Sequence, residues 1–226
     1  MEVIRIVNSV FRSNTFLIED ESGMCFLVDC GDIGSIVRYL QCKEFTLGAV
    51  FITHAHYDHI YGLNELFEVY PQLIVYTSLH GKEGLYSDKL NLSKYHSNTF
   101  VFQYDSVETL QEKQLIEISK NKHLEVYETP GHDWSSLCYK IGNNVFTGDS
   151  YLPQYGVVAN LPKSDKNEAL KSIERIKNIS IGCNIFPGHG DIVQIYCHNL
   201  KNEITDQQLE ETRQALDNPE ITTAFY

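Results

Sequence analysis

The sequence is short of cations. Against 30 Asp and Glu it has 18 Lys and Arg, giving a formal net charge of −12. A long polyanion such as RNA or DNA would be repelled unless a local basic patch compensated. The chain has no such patch, so nucleic-acid partners are disfavoured and a small-molecule substrate is expected. Long apolar runs are missing too. Nothing approaches the roughly 18 consecutive apolar residues of a membrane span. The first residues, Met1 to Val7, carry no basic stretch leading into an apolar one, and read as a strand rather than a signal peptide. None of the 6 cysteines forms a C-x-x-C pair. A chain of this size needs no disulfide staples, so free, mostly buried thiols in a reducing cytoplasm are expected. Pro/Ser-rich linkers, low-complexity tracts and internal repeats are absent, as is the Gly-x-Ser-x-Gly elbow that presents a serine nucleophile.

What is present is an ordinary globular composition, 42% hydrophobic and 21% charged over 226 residues. One domain over 1–226 is expected, with a short helix near 205–216 in the tail 191–226. Strands are predicted at 2–7, 14–19, 24–29 and 48–53 from their β-branched and aromatic content between turn-like residues. Ile60, Leu63, Leu66, Phe67 and Tyr70 recur on one helical face. Further strands are predicted at 73–76, 99–103, 114–118 and 123–128, with a helix-and-loop excursion over about 78–98. A hairpin at 137–141 and 145–148 turns across Gly142-Asn143-Asn144. A helix from about 165 to 178, capped by Ser164, leads to a last strand near 182–186. Sheets covered by outer helices fit this order.

The chemistry is concentrated in Thr53-His54-Ala55-His56-Tyr57-Asp58-His59. On an extended segment His54 and His56 project to one side. A turn then delivers Asp58 and His59 at a helix start, so one short peptide faces two adjacent metal ions. Imidazoles and a carboxylate suit zinc, and also iron or manganese. Three histidines and an aspartate this close have no ready packing role, because unpaired buried charge is costly. Three later segments, Thr129-Pro130-Gly131-His132, Phe146-Thr147-Gly148-Asp149 and Phe186-Pro187-Gly188-His189, each end in a ligand-type residue after a predicted strand. Taken alone, His132 and Asp149 would be ordinary turn residues. Their glycines allow tight turns and close backbone approach. If the strands share a direction, their ends bring all four loops to one sheet edge.

These motifs, in this order, resemble the metallo-β-lactamase superfamily, and within it the glyoxalase II-type branch. The resemblance extends to Asn14-Thr15-Phe16-Leu17-Ile18 and Val28-Asp29-Cys30-Gly31. It implies a four-layer αββα sandwich of α/β (α+β) class with metals at one edge. By motif, His54, His56 and His132 would hold a first metal; Asp58, His59 and His189 a second; and Asp149 would bridge them. The resemblance further implies two divalent ions, zinc first, and hydrolysis of a small ester, thioester or lactone by a metal-bridging hydroxide, with Asp58 and Asp149 in catalytic roles. Some zinc β-lactamases put Cys where Asp149 stands or a non-histidine where His59 stands, which weighs against a β-lactam. The family alternative is a mononuclear iron persulfide dioxygenase using His54, His132 and Asp149. Asp29 is either a group that orients the site or a turn-initiating residue. The run Asp133-Trp134-Ser135-Ser136 departs from the family pattern and is expected to reshape the pocket rim. Tyr61 likewise stands where a glycine is common. Tyr57, His96, Trp134, Tyr151 and Tyr155 are expected to line the pocket, and no functional role is expected for His80, His123 or His198. The stretch after Gly190 is too short for the glutathione-binding helical domain of full-length glyoxalase II.

Overall fold

A computed structural model describes residues 1–195; the expected helix near 205–216, Cys197 and His198 lie outside the described residues. Two six-stranded sheets form the centre. The first is built from β1 (Glu2–Val7), β2 (Asn14–Glu19), β3 (Met24–Val28), β4 (Thr46–Phe51), β5 (Val75–Thr77) and β6 (Val107–Thr109), in that order. The second contains β7 (Leu115–Ser119), β8 (Lys122–Glu128), β9 (Leu137–Ile141), β10 (Asn144–Gly148), β11 (Asn184–Pro187) and β12 (Val193–Gln194), in reverse order.

Strand alternation explains the layering. On β2, Phe16 and Ile18 meet Val126, Tyr139, Phe146 and Phe186 of the other sheet in one core, while Leu17 points into a second core. That second core holds the buried faces of α1 (Ile33–Lys43) and α2 (Leu63–Val69). On the far side, α4 (Lys166–Ile179) packs Ala169, Ile173 and Ile176 against smaller clusters containing Val157, Tyr127 and Cys138. Both faces of each sheet are therefore covered, which accounts for the nearly continuous burial of β2 and β3. The result is the expected α/β sandwich, helices outside and two sheets within. The short helix α3 (Leu79–Leu85) follows β5.

Several local expectations are corrected. The segment 99–103 is not a strand. Phe100 and Phe102 are buried, but the Phe100 carbonyl accepts from Asn91 Nδ2 at 3.0 Å, Ser93 donates to it at 3.2 Å, and the Phe102 N–H bonds the Leu85 carbonyl at 2.8 Å. Side chains thus satisfy backbone groups that a sheet would otherwise satisfy, and the edge strand forms later, as β6. Helix α1 was not anticipated, although Ile33, Ile36 and Leu40 carry its buried face. Its N-cap residue, Asp32, makes no capping bond; its carboxylate instead accepts from the Ser9 N–H, the Ser9 hydroxyl and the Tyr61 hydroxyl. Helix α4 is capped by Asp165, which accepts from the N–H groups of Asn167 and Glu168, and not by Ser164. Strand β12 was also unforeseen.

Candidate metal centre

Direction decides where the loops meet. Strand β8 is antiparallel to β9, β9 is antiparallel to β10, and β10 is parallel to β11. Strands β8, β10 and β11 therefore run the same way, and the loops carrying His132, Asp149 and His189 leave from one edge. In the first sheet β3 is parallel to β4, so Asp29 and the Thr53–His59 segment leave together.

Across the gap between the sheets, the Leu137 N–H bonds the Thr53 carbonyl at 2.7 Å, and the Ala55 N–H bonds Ser135 Oγ at 3.2 Å. These bonds hold Thr53–His56 extended. A 3-10 turn, Tyr57–His59, then closes with the His59 N–H on the His56 carbonyl at 3.0 Å. The His189 loop is pinned from the other side: Asn14 Nδ2 donates to the Pro187 and Gly190 carbonyls at 2.8 and 2.9 Å, and Ser13 pairs with His189 in an isolated bridge. Gly188 is needed here, because a Cβ at that position would lie 2.1 Å from Asp149 Oδ1 and 2.8 Å from His59 Cε1. Gly148 adopts φ +48° and leaves no room beside the Thr53 side chain.

All seven sequence-selected residues are buried and converge. Three groups of donors cluster: His54, His56 and His132; His54, His59 and Asp149; and Asp58, His59 and His189. His132 Nε2 lies 2.9 Å from His56 Nδ1. His59 Nε2 lies 3.3 Å from Asp58 Oδ2 and 3.5 Å from Asp149 Oδ1. His189 Nε2 lies 3.2 Å from Asp58 Oδ2 and 3.4 Å from Asp149 Oδ2, and the latter oxygen is 3.6 Å from His132 Nε2. Asp149 therefore touches both halves of the cluster.

In three of these histidines the ring nitrogen turned away from the cluster also has a partner. His54 Nδ1 meets Thr53 Oγ1 at 3.1 Å, His132 Nδ1 donates to the Val158 carbonyl at 2.7 Å, and His59 Nδ1 meets Asp29 Oδ2 at 2.9 Å. Asp29 also accepts from the Thr53 N–H and hydroxyl. It sits at φ +61°, so it is both the turn residue and the orienting group that the sequence left as alternatives. Sequence reasoning missed Thr53, Ser13 and Ser164, whose hydroxyl donates to the His132 carbonyl. Thr53 carries one signal, its adjacency to His54; Ser13 and Ser164 lie far along the chain from the residues they hold and carry none.

A divalent cation fits these donors. His54 Nε2, His59 Nε2 and Asp149 Oδ1 are buried without a hydrogen-bond partner, and such orphans each cost about 1–3 kcal/mol. Two donors on one tetrahedral ion with bonds near 2.0–2.1 Å stand about 3.3 Å apart. The contacts of 2.9 to 3.6 Å bracket that spacing. Electrostatics divides the cluster. Burial, reinforced by neighbouring imidazoles, pushes His54 well down and His132 down to about 4. Burial also opposes charge on His59 and His189, but nearby carboxylates overcome it: Asp58, Asp149 and Asp29 raise His59 to about 9, and Asp149 and Asp58 raise His189 to about 11.

The residues expected to line the pocket pair with different neighbours. Tyr57 stacks on His96 with centroids 5.0 Å apart, and Trp134 stacks on His80 at 3.9 Å with the Lys163 ammonium 4.2 Å from the indole centroid. His80 thus packs against Trp134. Tyr155 is exposed beside Gly190. Tyr151 packs against the clusters containing Ala169 and Ile176 of α4. Asp133, expected at the rim, is buried.

The family described as the metallo-beta-lactamase superfamily matches residues 8–189. A probable polyketide biosynthesis zinc-dependent hydrolase, PksB of Bacillus subtilis, is 26% identical over 85% of this chain and 83% of its own length. The crystal structure of the BLEG-1 B3 metallo-beta-lactamase superposes with a TM-score of 0.79 at 22% identity, covering 85% of this chain and 94% of that one. The di-iron-bound form of TTHA1623 superposes with a TM-score of 0.74 at 23% identity, covering 84% and 94%.

Proposed function

The chain belongs to the metallo-beta-lactamase superfamily, and from that premise we propose that it is a dinuclear metal-dependent hydrolase of small esters, thioesters or lactones. The observation that carries the reading is the convergence of five imidazoles and two carboxylates on orphaned, buried donor atoms. His54, His56 and His132 would hold one ion, and Asp58, His59 and His189 the other, with Asp149 shared. Two divalent ions there would supply a water that ionises near neutral pH and would polarise a scissile carbonyl.

The chain's own groups do the rest. Asp58 faces His59 and His189 through Oδ2, which leaves Oδ1 to orient the attacking water and take its proton. The anchored rings of His54, His59 and His132 need no reorganisation during the reaction, which favours a charge-developing transition state.

Zinc is our reading of the metal on donor chemistry. The similar Bacillus subtilis protein is described as zinc-dependent, and the similar TTHA1623 structure holds two irons. The glyoxalase II-type branch is our reading of the motif set, with Asp149 and His59 both in place. A cytoplasmic setting is our reading of the five free cysteines among the described residues; no helix there is long and apolar enough to cross a membrane.

The test is metal content by mass spectrometry on protein purified without added metal, followed by a thioester and lactone panel. Two divalent ions per chain with turnover are expected. One iron per chain with oxygen uptake would replace this reading with the dioxygenase one, and a chain that binds no divalent metal would sink both.

A further inference from the structure

His56 is the one imidazole in the first group whose outer nitrogen lacks a close partner. Its Nδ1 points at His132 Nε2, 2.9 Å away, where a shared cation would sit. Its Nε2 is buried and unpaired. The acceptor facing it is Asp133 Oδ2 at 3.6 Å, beyond hydrogen-bond length but within reach of a small ring rotation. Asp133 is itself 3% exposed. A carboxylate this deeply buried needs a reason.

Half of that reason is visible. Asp133 Oδ1 accepts from the Ser135 N–H at 2.8 Å and from the Ser135 hydroxyl, and that same hydroxyl oxygen accepts from the N–H of Ala55, the residue between His54 and His56. One oxygen of Asp133 thus fixes, through Ser135, the backbone that carries two ligands. The other faces the ring of the second ligand.

We propose that Asp133 is a positioning residue that commits His56 to one tautomer, protonated at Nε2 and bare at Nδ1, so that Nδ1 is free to take a cation. This rests on the metal-centre reading above. An imidazole offers a lone pair on one nitrogen only if its proton is held on the other, and a carboxylate is the strongest holder available. Thr53, Asp29 and the Val158 carbonyl hold the outer nitrogens of His54, His59 and His132. Asp133 completes the set for His56, from a position where the sequence departs from the pattern it otherwise resembles.

The discriminating variant is Asp133→Asn. The amide keeps the shape, and its oxygen can still accept from Ser135, so the turn survives. Its NH₂ would donate to His56 Nε2, forcing the proton onto Nδ1 and blocking the ligand lone pair. Zinc affinity by chelator competition should fall about 10- to 100-fold. The thermal midpoint of the metal-free protein should stay near wild type. Nitrogen-15 spectra of the metal-free protein should show His56 changing from the Nε2–H to the Nδ1–H form. Asp133→Ala should lose both zinc affinity and metal-free stability.

The proposal is overturned if Asp133→Asn keeps the wild-type tautomer and affinity, or if it lowers metal-free stability as much as Asp133→Ala does. Wild-type protein that binds no zinc would instead overturn the metal-centre reading, so the two failures are told apart.

Discussion

The two halves of the centre are built from different chemistry. Around His54, His56 and His132 the donors are imidazoles apart from the shared Asp149, and burial, reinforced by neighbouring imidazoles, holds His54 and His132 neutral. Around His59 and His189 stand Asp58 and Asp149, which favour protonated rings until something else neutralises the carboxylates. The imidazole half is therefore prepared for a cation as it stands. The carboxylate half must release protons to take one, because a metal ligand has to be deprotonated. The lesson is that similar ligand counts do not make equivalent sites: the first half offers bare lone pairs, the second offers charge.

The sharpest way to break this comparison is to remove the group common to both halves. Asp149→Ala takes away the carboxylate that reaches His59, His132 and His189. Metal content should fall in both halves, and turnover on the order of 10³-fold or more. His189→Ala should cost one ion and leave the imidazole half loaded. The measurement is metal stoichiometry beside turnover for the two variants. Equal losses in both would show that the halves are one cooperative unit.

A smaller effect should come from Gly188→Ala. The new Cβ would meet Asp149 Oδ1 at 2.1 Å, and the neighbouring backbone leaves little room to retreat. Overpacking of this kind costs about 1–3 kcal/mol. The displaced Asp149 carboxylate, together with the crowded His59 ring, should weaken binding at both halves. Denaturant unfolding of the metal-free protein, with zinc titration alongside, checks this. A variant with wild-type stability and wild-type zinc affinity would mean that Asp149 is not held where the geometry puts it.

Much of this site was legible in the sequence because ligand chemistry is carried by residue type and local spacing. His54 and His56 alternate on an extended segment, and each later loop announces itself with a glycine before a ligand-type residue. Strands β2 and β3 were legible from their β-branched and aromatic content between turn-like residues. What escaped depended on long-range partners. Asp32 looks like a helix cap, yet its carboxylate is drawn away by Ser9 and Tyr61, so the start of α1 carried no usable signal. Phe100 and Phe102 have strand-like composition, but Asn91 and Ser93 satisfy the backbone there. Asp133 read as a rim residue because nothing local shows that Ser135 and His56 enclose it.

The smallest effect, and the one that separates the halves most directly, is the pH dependence of metal-free stability. His132 has a folded pKa of about 4 against an ordinary 6.5. As pH falls below about 6.5 the unfolded chain takes up that proton first, so stability drops until about pH 4 and then levels; His54 acts in the same direction. His59 and His189 have folded values raised to about 9 and about 11. Their contribution is complete below about 6.5 and is lost as pH rises through those values. Chelator-treated protein should therefore melt highest near neutrality and lower on either side. His132→Ala should flatten the acid limb, and His189→Ala the alkaline one. Thermal melts from about pH 5 to 10 on the three proteins decide the matter. If His189→Ala kept the wild-type alkaline limb, the protons would not reside on the carboxylate side, and the difference in charge between the halves would have to be given up.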